Sequence, residues 1–273
     1  MTSIQANGVH LHVNDSGGDG RPVVLIHGWP LSGASWEHQV PVLVQAGHRV
    51  VTYDRRGFGE SDKPDTGYDY DTLAADLDAV LTGLDLRDAS LVGFSMGGGE
   101  VVRYLATYGA DRVRSAVLAA AVPPYLLATD DNPDGGLGED DVAEFVDGVT
   151  NGRAAFLDGF TTDFFSVDGE LKVSEEERQK ALALQEPATT ASLAGCVEAF
   201  ARTDFRADLA AITVPVLVIH GDGDATVPFE VSGKRSAEAL ADAELVVVEG
   251  APHGLNVSHA TEFNTALGDF FAR

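Results

Sequence analysis

Gly93-Phe94-Ser95-Met96-Gly97 is the stretch whose reading decides the fold. It follows an apolar run, Ala89-Ser90-Leu91-Val92, and precedes a segment of helical character, Gly98 to Tyr108. A G-x-S-x-G pattern between a strand and a helix implies one sharp turn. On such a turn the serine holds a strained backbone angle, and a Cβ at either flanking glycine would collide with the incoming strand or the outgoing helix. The turn lifts the Ser95 hydroxyl to where a base can reach it. It also aims the Met96 N–H at any negative charge that develops beside the serine. The pentapeptide alone is a weak signal, and its strand–turn–helix setting makes it a strong one. The rest of the chain must then supply a base and a carboxylate.

Outward from that turn, apolar β-branched runs alternate with amphipathic segments. Ile4-Gln5-Ala6 and Val9-His10-Leu11-His12-Val13 flank Asn7-Gly8, a hairpin signal. His10 and His12 fall on one strand face and are read as solvent-facing, not as a metal pair. Pro22-Val23-Val24-Leu25-Ile26 and Arg49-Val50-Val51-Thr52-Tyr53 read as strands buried on both faces of a parallel sheet. A helix is expected over Ser35 to Gly47, interrupted near its start by Pro41. Another is expected over Tyr70 to Leu84, with Leu73, Leu77, Val80, Leu81 and Leu84 on one face. Val113 to Val122 reads as a further strand. From Pro123-Pro124 to about Asp208 the strand runs stop, and acid-rich turns alternate with short helical patterns anchored by Phe145, Phe156, Leu157, Phe160, Phe164 and Phe165. The alternation resumes at Val214 to Ile219 and at Glu244 to Val248, and a last helix over Asn256 to Phe270 closes the chain. The expectation is an α/β fold: a mostly parallel, doubly wound sheet of eight strands with a helical cap inserted after the sixth. Residues 1–122 and 209–273 would form the core domain and residues 123–208 the cap.

Composition removes several function classes. The 273 residues carry 43 acids against 18 lysines and arginines, a net charge of −25. That charge repels nucleic acid and anionic membranes at long range, and it reads as a solvated acidic surface. No run of about 18 apolar residues occurs, so no membrane span is expected. The first residues lack the basic-then-apolar pattern of a signal peptide, and a cytoplasmic protein is expected. The single cysteine, Cys196, leaves no disulfide framework and no Cys-based zinc site. His38, His48 and His259 have no ligand-spaced partners. Gly97-Gly98-Gly99 lacks the lysine and Ser/Thr of a phosphate loop. Neither a metal nor a cofactor is expected.

In open α/β sheets, ligands bind outside the carboxyl ends of the strands. His27-Gly28-Trp29 follows the third strand and Ser95 the elbow strand. His220-Gly221-Asp222-Gly223-Asp224 follows the penultimate strand, and Gly250-Ala251-Pro252-His253-Gly254 the last. Nucleophile, carboxylate and imidazole thus occur in the order Ser, Asp, His, each just past a strand. Two carboxylates, Asp222 and Asp224, compete for the middle role, and one of them would close a turn.

Five motifs carry a resemblance over essentially the whole chain: His27-Gly28-Trp29-Pro30, Tyr53 to Ser61 (YDRRGFGES), Gly93 to Glu100, His220 to Asp224 with Val227-Pro228, and Ala251-Pro252-His253-Gly254. The chain resembles the α/β-hydrolase superfamily and, within it, the cofactor-free bacterial haloperoxidases and aryl esterases. The resemblance implies Ser95 as nucleophile, His253 as base and Asp224 as the acid that orients it. It implies the N–H groups of Trp29 and Met96 as oxyanion donors, with the Trp29 side chain lining the acyl pocket. His27 would shape that turn. Phe160 and Phe164 are the cap residues expected to touch substrate. The implied activity is cleavage of small carboxylic esters through an acyl-enzyme. Hydrogen peroxide would also attack that acyl group, giving peroxyacids from short carboxylic acids and hence apparent haloperoxidase activity. A proline at position 30 resembles the haloperoxidase type. Alternatives are a lactonase or lactamase with the same three residues, or a ligand-binding receptor on the same fold. Relatives are often trimers or hexamers, which makes a homo-oligomer an expectation.

Overall fold

The structure, a computed structural model, describes residues 2–273. β1 (Thr2–Ala6) and β2 (Val9–Asp15) form the expected hairpin, with Asn7 and Gly8 both at positive φ in its turn. β3 (Pro22–Ile26) follows. Next come a short 3-10 turn (Gly33–Trp36), α1 (Val40–Gln45) and β4 (Arg49–Tyr53). The helix expected over Ser35 to Gly47 therefore begins at Val40. Pro41 lies in its first turn, where the missing N–H has no intrahelical partner to lose. α2 (Tyr70–Gly83) opens on Asp69, whose side chain accepts the Thr72 N–H at 2.9 Å.

The elbow strand is β5 (Ala89–Phe94), followed by α3 (Met96–Tyr108) and β6 (Val113–Ala119). Val113 to Val122 is thus strand only to Ala119, because Ala120 turns to a φ of 43°. The helical insertion holds α4 (Glu139–Asn151), α5 (Arg153–Phe164), β7 (Ser166–Val167), β8 (Glu170–Leu171), α6 (Glu175–Ala183) and α7 (Thr190–Arg202). The β7–β8 hairpin was not expected, although its Asp168-Gly169 turn, both residues at positive φ, is a standard hairpin signal. α8 (Arg206–Ala210) runs across the expected boundary at 208/209. β9 (Val216–Gly221), α9 (Gly233–Ala239) and β10 (Ala243–Val248) restore the alternation. The closing helix is two pieces, α10 (Leu255–Ser258) and α11 (Ala260–Phe271), broken at His259, whose backbone (φ −125°, ψ 45°) leaves the helical region.

The eight main strands pair in the order β1-β2-β4-β3-β5-β6-β9-β10, with six parallel strands from β4 to β10 and the antiparallel β1 and β2 at one edge. Alternate side chains feed two separate cores. Val24, Ile26, Leu91, Leu118 and Val218 pack with α2 and α3 on one face. Val23, Leu25, Val92, Val117, Leu217 and Ile219 pack with α11 on the other. The period of two explains why these strands read as unbroken apolar runs. Each such side chain contributes about 1.5–3 kcal/mol on burial. The same layering holds the strand ends rigid, and every candidate site residue of the core sits beyond such an end.

Candidate active site

Ser95 sits between β5 and α3 with φ 53° and ψ −119°, a conformation that costs an L-residue energy. Its neighbours show why the strain persists. A Cβ on Gly93 would lie 2.4 Å from the Gly97 carbonyl oxygen, and one on Gly97 would lie 2.5 Å from the Ile26 oxygen. Backbone bonds lock the turn: Ser95 N donates to Ala119 O at 2.8 Å, and Gly98 N donates to Ser95 O at 3.0 Å.

His253, in the loop after β10, is buried. Its Nε2 lies 2.9 Å from Ser95 Oγ and its Nδ1 lies 2.7 Å from Asp224 Oδ2. Phe94 and Phe164 flank the ring, at 5.2 and 4.9 Å between centroids. Asp224, in the loop after β9, accepts the amides of Thr226 (2.9 Å) and Val227 (2.8 Å) on Oδ1. Burial works to raise its pKa. The His253 charge and the N–H donors of His220 and His253 outweigh burial and hold it at about 2. Asp222 faces away and accepts the Gly250 N–H at 2.6 Å, closing the turn between the last two strands. The two carboxylates that sequence left in competition are thus separated by what they touch.

The Trp29 and Met96 amides make no backbone hydrogen bond among the described residues. The turn carrying Trp29 lies against the serine: a Cβ on Gly28 would come within 3.1 Å of Ser95 Cβ. His27 supports this turn from below. Its Nδ1–H donates to Gly28 O at 2.8 Å and its Nε2 accepts the Arg55 amide at 2.9 Å, so both ring nitrogens are engaged in the neutral form. Burial and the Arg55 charge push its pKa well below the usual histidine range. Arg55 in turn binds His27 O (2.7 Å) and, through Nε, Glu100 of α3 (2.9 Å), and the Tyr53 hydroxyl donates to the same carboxylate. The network ties the turn after β3 to the helix after β5.

Above Ser95 is a narrow pocket of about 370 Å³, walled by Trp29, Phe145, Phe160, Phe200, Leu126 and Leu137, with Thr226 and Val227 at the side. Trp29 packs edge-on to Phe160 (5.0 Å) and Phe200 (5.6 Å). Of the two cap residues expected at the substrate, Phe160 lines this pocket and Phe164 does not. Phe164 lies one helical turn further along the same face of α5, still against Phe160 (5.9 Å), and there packs onto His253, Phe94 and Phe165. Phe145 and Phe200 take the place expected for it. They come from α4 and α7, and no spacing in the sequence brings those helices together.

A larger cavity, about 960 Å³, lies at the amino ends of the strands around Arg21, Arg114 and Arg273. It is remote from Ser95, and its cations already pair with Asp88 and Glu244. Burial raises the Cys196 thiol to about 12, so it stays protonated and inert. His38, without a partner along the sequence, lies within 3.7 Å of Glu177 on α6 and 4.0 Å of Glu37. No helix among the described residues is long and apolar enough to cross a membrane.

Comparison with known proteins agrees with this architecture. A putative non-heme chloroperoxidase of Synechocystis is 47% identical over 256 residues, 93% of this chain and 92% of the relative. A bifunctional esterase/perhydrolase of Acinetobacter calcoaceticus is 39% identical over 269 residues, 96% of this chain and 95% of the relative. The crystal structure of a bromoperoxidase from Bacillus anthracis superposes with a TM-score of 0.97 at 50% identity, covering 100% of this chain and 99% of that one. Residues 21–260 match the family of the alpha/beta hydrolase fold, and the chain belongs to that family.

Proposed function

We propose that the protein is a serine hydrolase that cleaves small carboxylic esters through an acyl-enzyme, with hydrogen peroxide as a second acceptor of the acyl group. The observation that carries this reading is the unbroken hydrogen-bonded chain Ser95–His253–Asp224 beneath an apolar pocket. Ser95 Oγ attacks the ester carbonyl while His253 Nε2 takes its proton. The Trp29 and Met96 amides receive the oxyanion. The tetrahedral species collapses, the C–O bond to the alcohol breaks, and the leaving oxygen takes the proton back from His253. Water then attacks the acyl-enzyme, with His253 again accepting a proton, and the acid leaves as Ser95 is reprotonated. Peroxide in place of water yields a peroxyacid, which oxidises halide in solution. The relatives named for chloroperoxidase and esterase/perhydrolase activity support both branches. In this reading residues 123–208 act as a cap, and Phe160 with Trp29 bounds the acyl group. Phe164 is a support for the His253 ring.

The test is hydrolysis of p-nitrophenyl acetate and butyrate, with monochlorodimedone bromination in acetate and peroxide, for wild type and Ser95→Ala. Loss of a residue acting within such a relay costs about 10⁴–10⁶ in kcat. Both activities should therefore vanish together in Ser95→Ala. Bromination that survives the substitution would overturn the peroxide branch. Turnover of lactones or lactams but of no open-chain ester would move the assignment to cyclic acyl substrates. The absence of any Ser95 adduct with a fluorophosphonate would favour a ligand-binding role.

A further inference from the structure

We propose that His220 is a positioning residue for the reaction: its Nε2–H anchors the Asp224 carboxylate and shares Oδ2 with His253, limiting how strongly Asp224 supports a proton on the base. The proposal rests on the roles of Ser95, His253 and Asp224 proposed above.

His220 is fully buried in β9. Its Nε2 lies 2.8 Å from the Val227 carbonyl oxygen and 3.1 Å from Asp224 Oδ2. Both neighbours can only accept, so Nε2 carries the proton. Nδ1 is buried with no hydrogen-bond partner among the described residues. The Gly233 backbone and the Phe229 ring pack against the imidazole. A Cβ on Gly233 would sit 2.5 Å from Nδ1, and the Phe229 ring lies 5.8 Å away.

The consequence lies in how the four donors on Asp224 divide. Oδ1 takes the Thr226 and Val227 amides, while Oδ2 takes His253 Nδ1–H at 2.7 Å and lies 3.1 Å from His220 Nε2, whose proton is directed at the Val227 carbonyl and only shared with the carboxylate. No other charged side chain among the described residues pairs with Asp224, His253 or His220. The His253 ring also hydrogen-bonds Ser95 and packs on the rings of Phe94 and Phe164. A carboxylate oxygen that accepts a second N–H has less charge to offer an imidazolium. Without the His220 donor, Asp224 would hold the His253 proton more strongly. His253 must lose that proton to act, so the acid limb of the rate profile would move to higher pH. The carboxylate would also lose one of its two side-chain anchors, and the plateau rate would fall.

The experiment compares wild type, His220→Phe and His220→Gln in kcat/KM for p-nitrophenyl butyrate between about pH 5 and pH 9. Phenylalanine keeps the ring and removes the donor. Glutamine places its amide nitrogen the same number of bonds from Cβ as Nε2. The position of the inflection does not depend on what fraction of the protein is folded, so partial misfolding cannot imitate the effect. In His220→Phe the acid inflection should rise by about half to one pH unit, with the plateau down about 10-fold. In His220→Gln it should remain within about 0.2 units of wild type. An unmoved inflection in His220→Phe, or equal displacement in both variants, would overturn the proposal. Ester turnover surviving both Ser95→Ala and Asp224→Asn would instead defeat the hydrolase reading on which it rests.

Discussion

At Ser95 the chain holds a strained residue in place with backbone bonds, while the groups around it divide two demands. In the proposed mechanism His253 takes up and returns a proton in each turnover, and Asp224 stays ionised throughout. Four N–H donors and the His253 charge keep Asp224 ionised against its burial, down to about pH 2. Its folded pKa lies below the ordinary aspartate value of 3.8, so its contribution to stability is complete above that value. That contribution is lost as pH falls from there toward 2. Asp224→Asn keeps the shape but gives Nδ1 of His253 an amide in place of an anion. The amide favours the wrong tautomer and cannot stabilise the imidazolium, an effect of about 10⁴ in kcat in a comparable relay. We expect a fall of about 10³–10⁴ in kcat with little change in KM. In urea melts, the stability gap between wild type and Asp224→Asn should close as pH drops from about 4 to about 2. A gap that widens on acidification would mean that Asp224 is not held as an anion.

Among the elements, α4, α5 and α7 each contribute one phenylalanine to the wall above the serine, and in the proposed function those rings set how long an acyl chain fits. Phe160 packs against Trp29 and Phe145 in that wall. Phe160→Ala should open the pocket lengthwise, and a hydrophobic pocket gains about 1–3 kcal/mol per accommodated methylene. The ratio of kcat/KM for p-nitrophenyl octanoate over acetate should therefore rise by at least about 10-fold. An unchanged ratio would place the acyl chain elsewhere. The elbow, the six parallel strands and the order serine, carboxylate, histidine were legible because each is local, whereas Asp224 was preferred to Asp222 only by resemblance. Buried parallel strands are short β-branched runs, and each chemical residue follows one directly. The lining of the pocket was legible only in part: Trp29 and Phe160 line it as expected, while Phe145 and Phe200 were not expected there. Phe156, Phe160, Phe164 and Phe165 crowd one stretch of sequence; Phe160 and Phe164 share one face of α5, and only the path of that helix along the core sends Phe160 to Trp29 and Phe164 to His253. The meeting of His220 with Asp224 was equally hidden, although they are four residues apart, because it depends on how the chain doubles back after Gly221. Pro41 and His259 misled or were missed for the same kind of reason. Whether a proline starts or interrupts a helix, and where a helix breaks, is set by what the segment packs against.

Across the whole molecule the charges are unevenly matched. The scarce cations of the surface act as hubs: Arg178 binds Glu175 and Asp158, Arg202 binds Glu198 and Glu139, and Arg206 binds Asp204 and Asp131. Carboxylates at hydrogen-bond distance raise the pKa of all three guanidinium groups. With 43 acids against 18 bases, pairing every cation once still leaves an excess of 25 negative charges spread over one molecule. Salt acts on the two populations in opposite senses. It weakens the exposed pairs, which are worth about 0–1 kcal/mol each. It also removes repulsion among the unpaired acids, which acts over the Debye length of about 30 Å at 0.01 M and about 3 Å at 1 M. Close pairs are less screened than distant like charges, and the unpaired acids outnumber the pairs. Relief of repulsion therefore wins. Raising NaCl from about 0.01 M to about 1 M should stabilise the fold by about 1–2 kcal/mol, a rise in Tm of about 2–8 °C for a protein of this size. Sulfate would add a surface-exclusion effect of its own, so the melts are to be made in chloride. A Tm that stays level or falls with NaCl would show that the arginine hubs, and not the excess acids, dominate the electrostatics of the folded state.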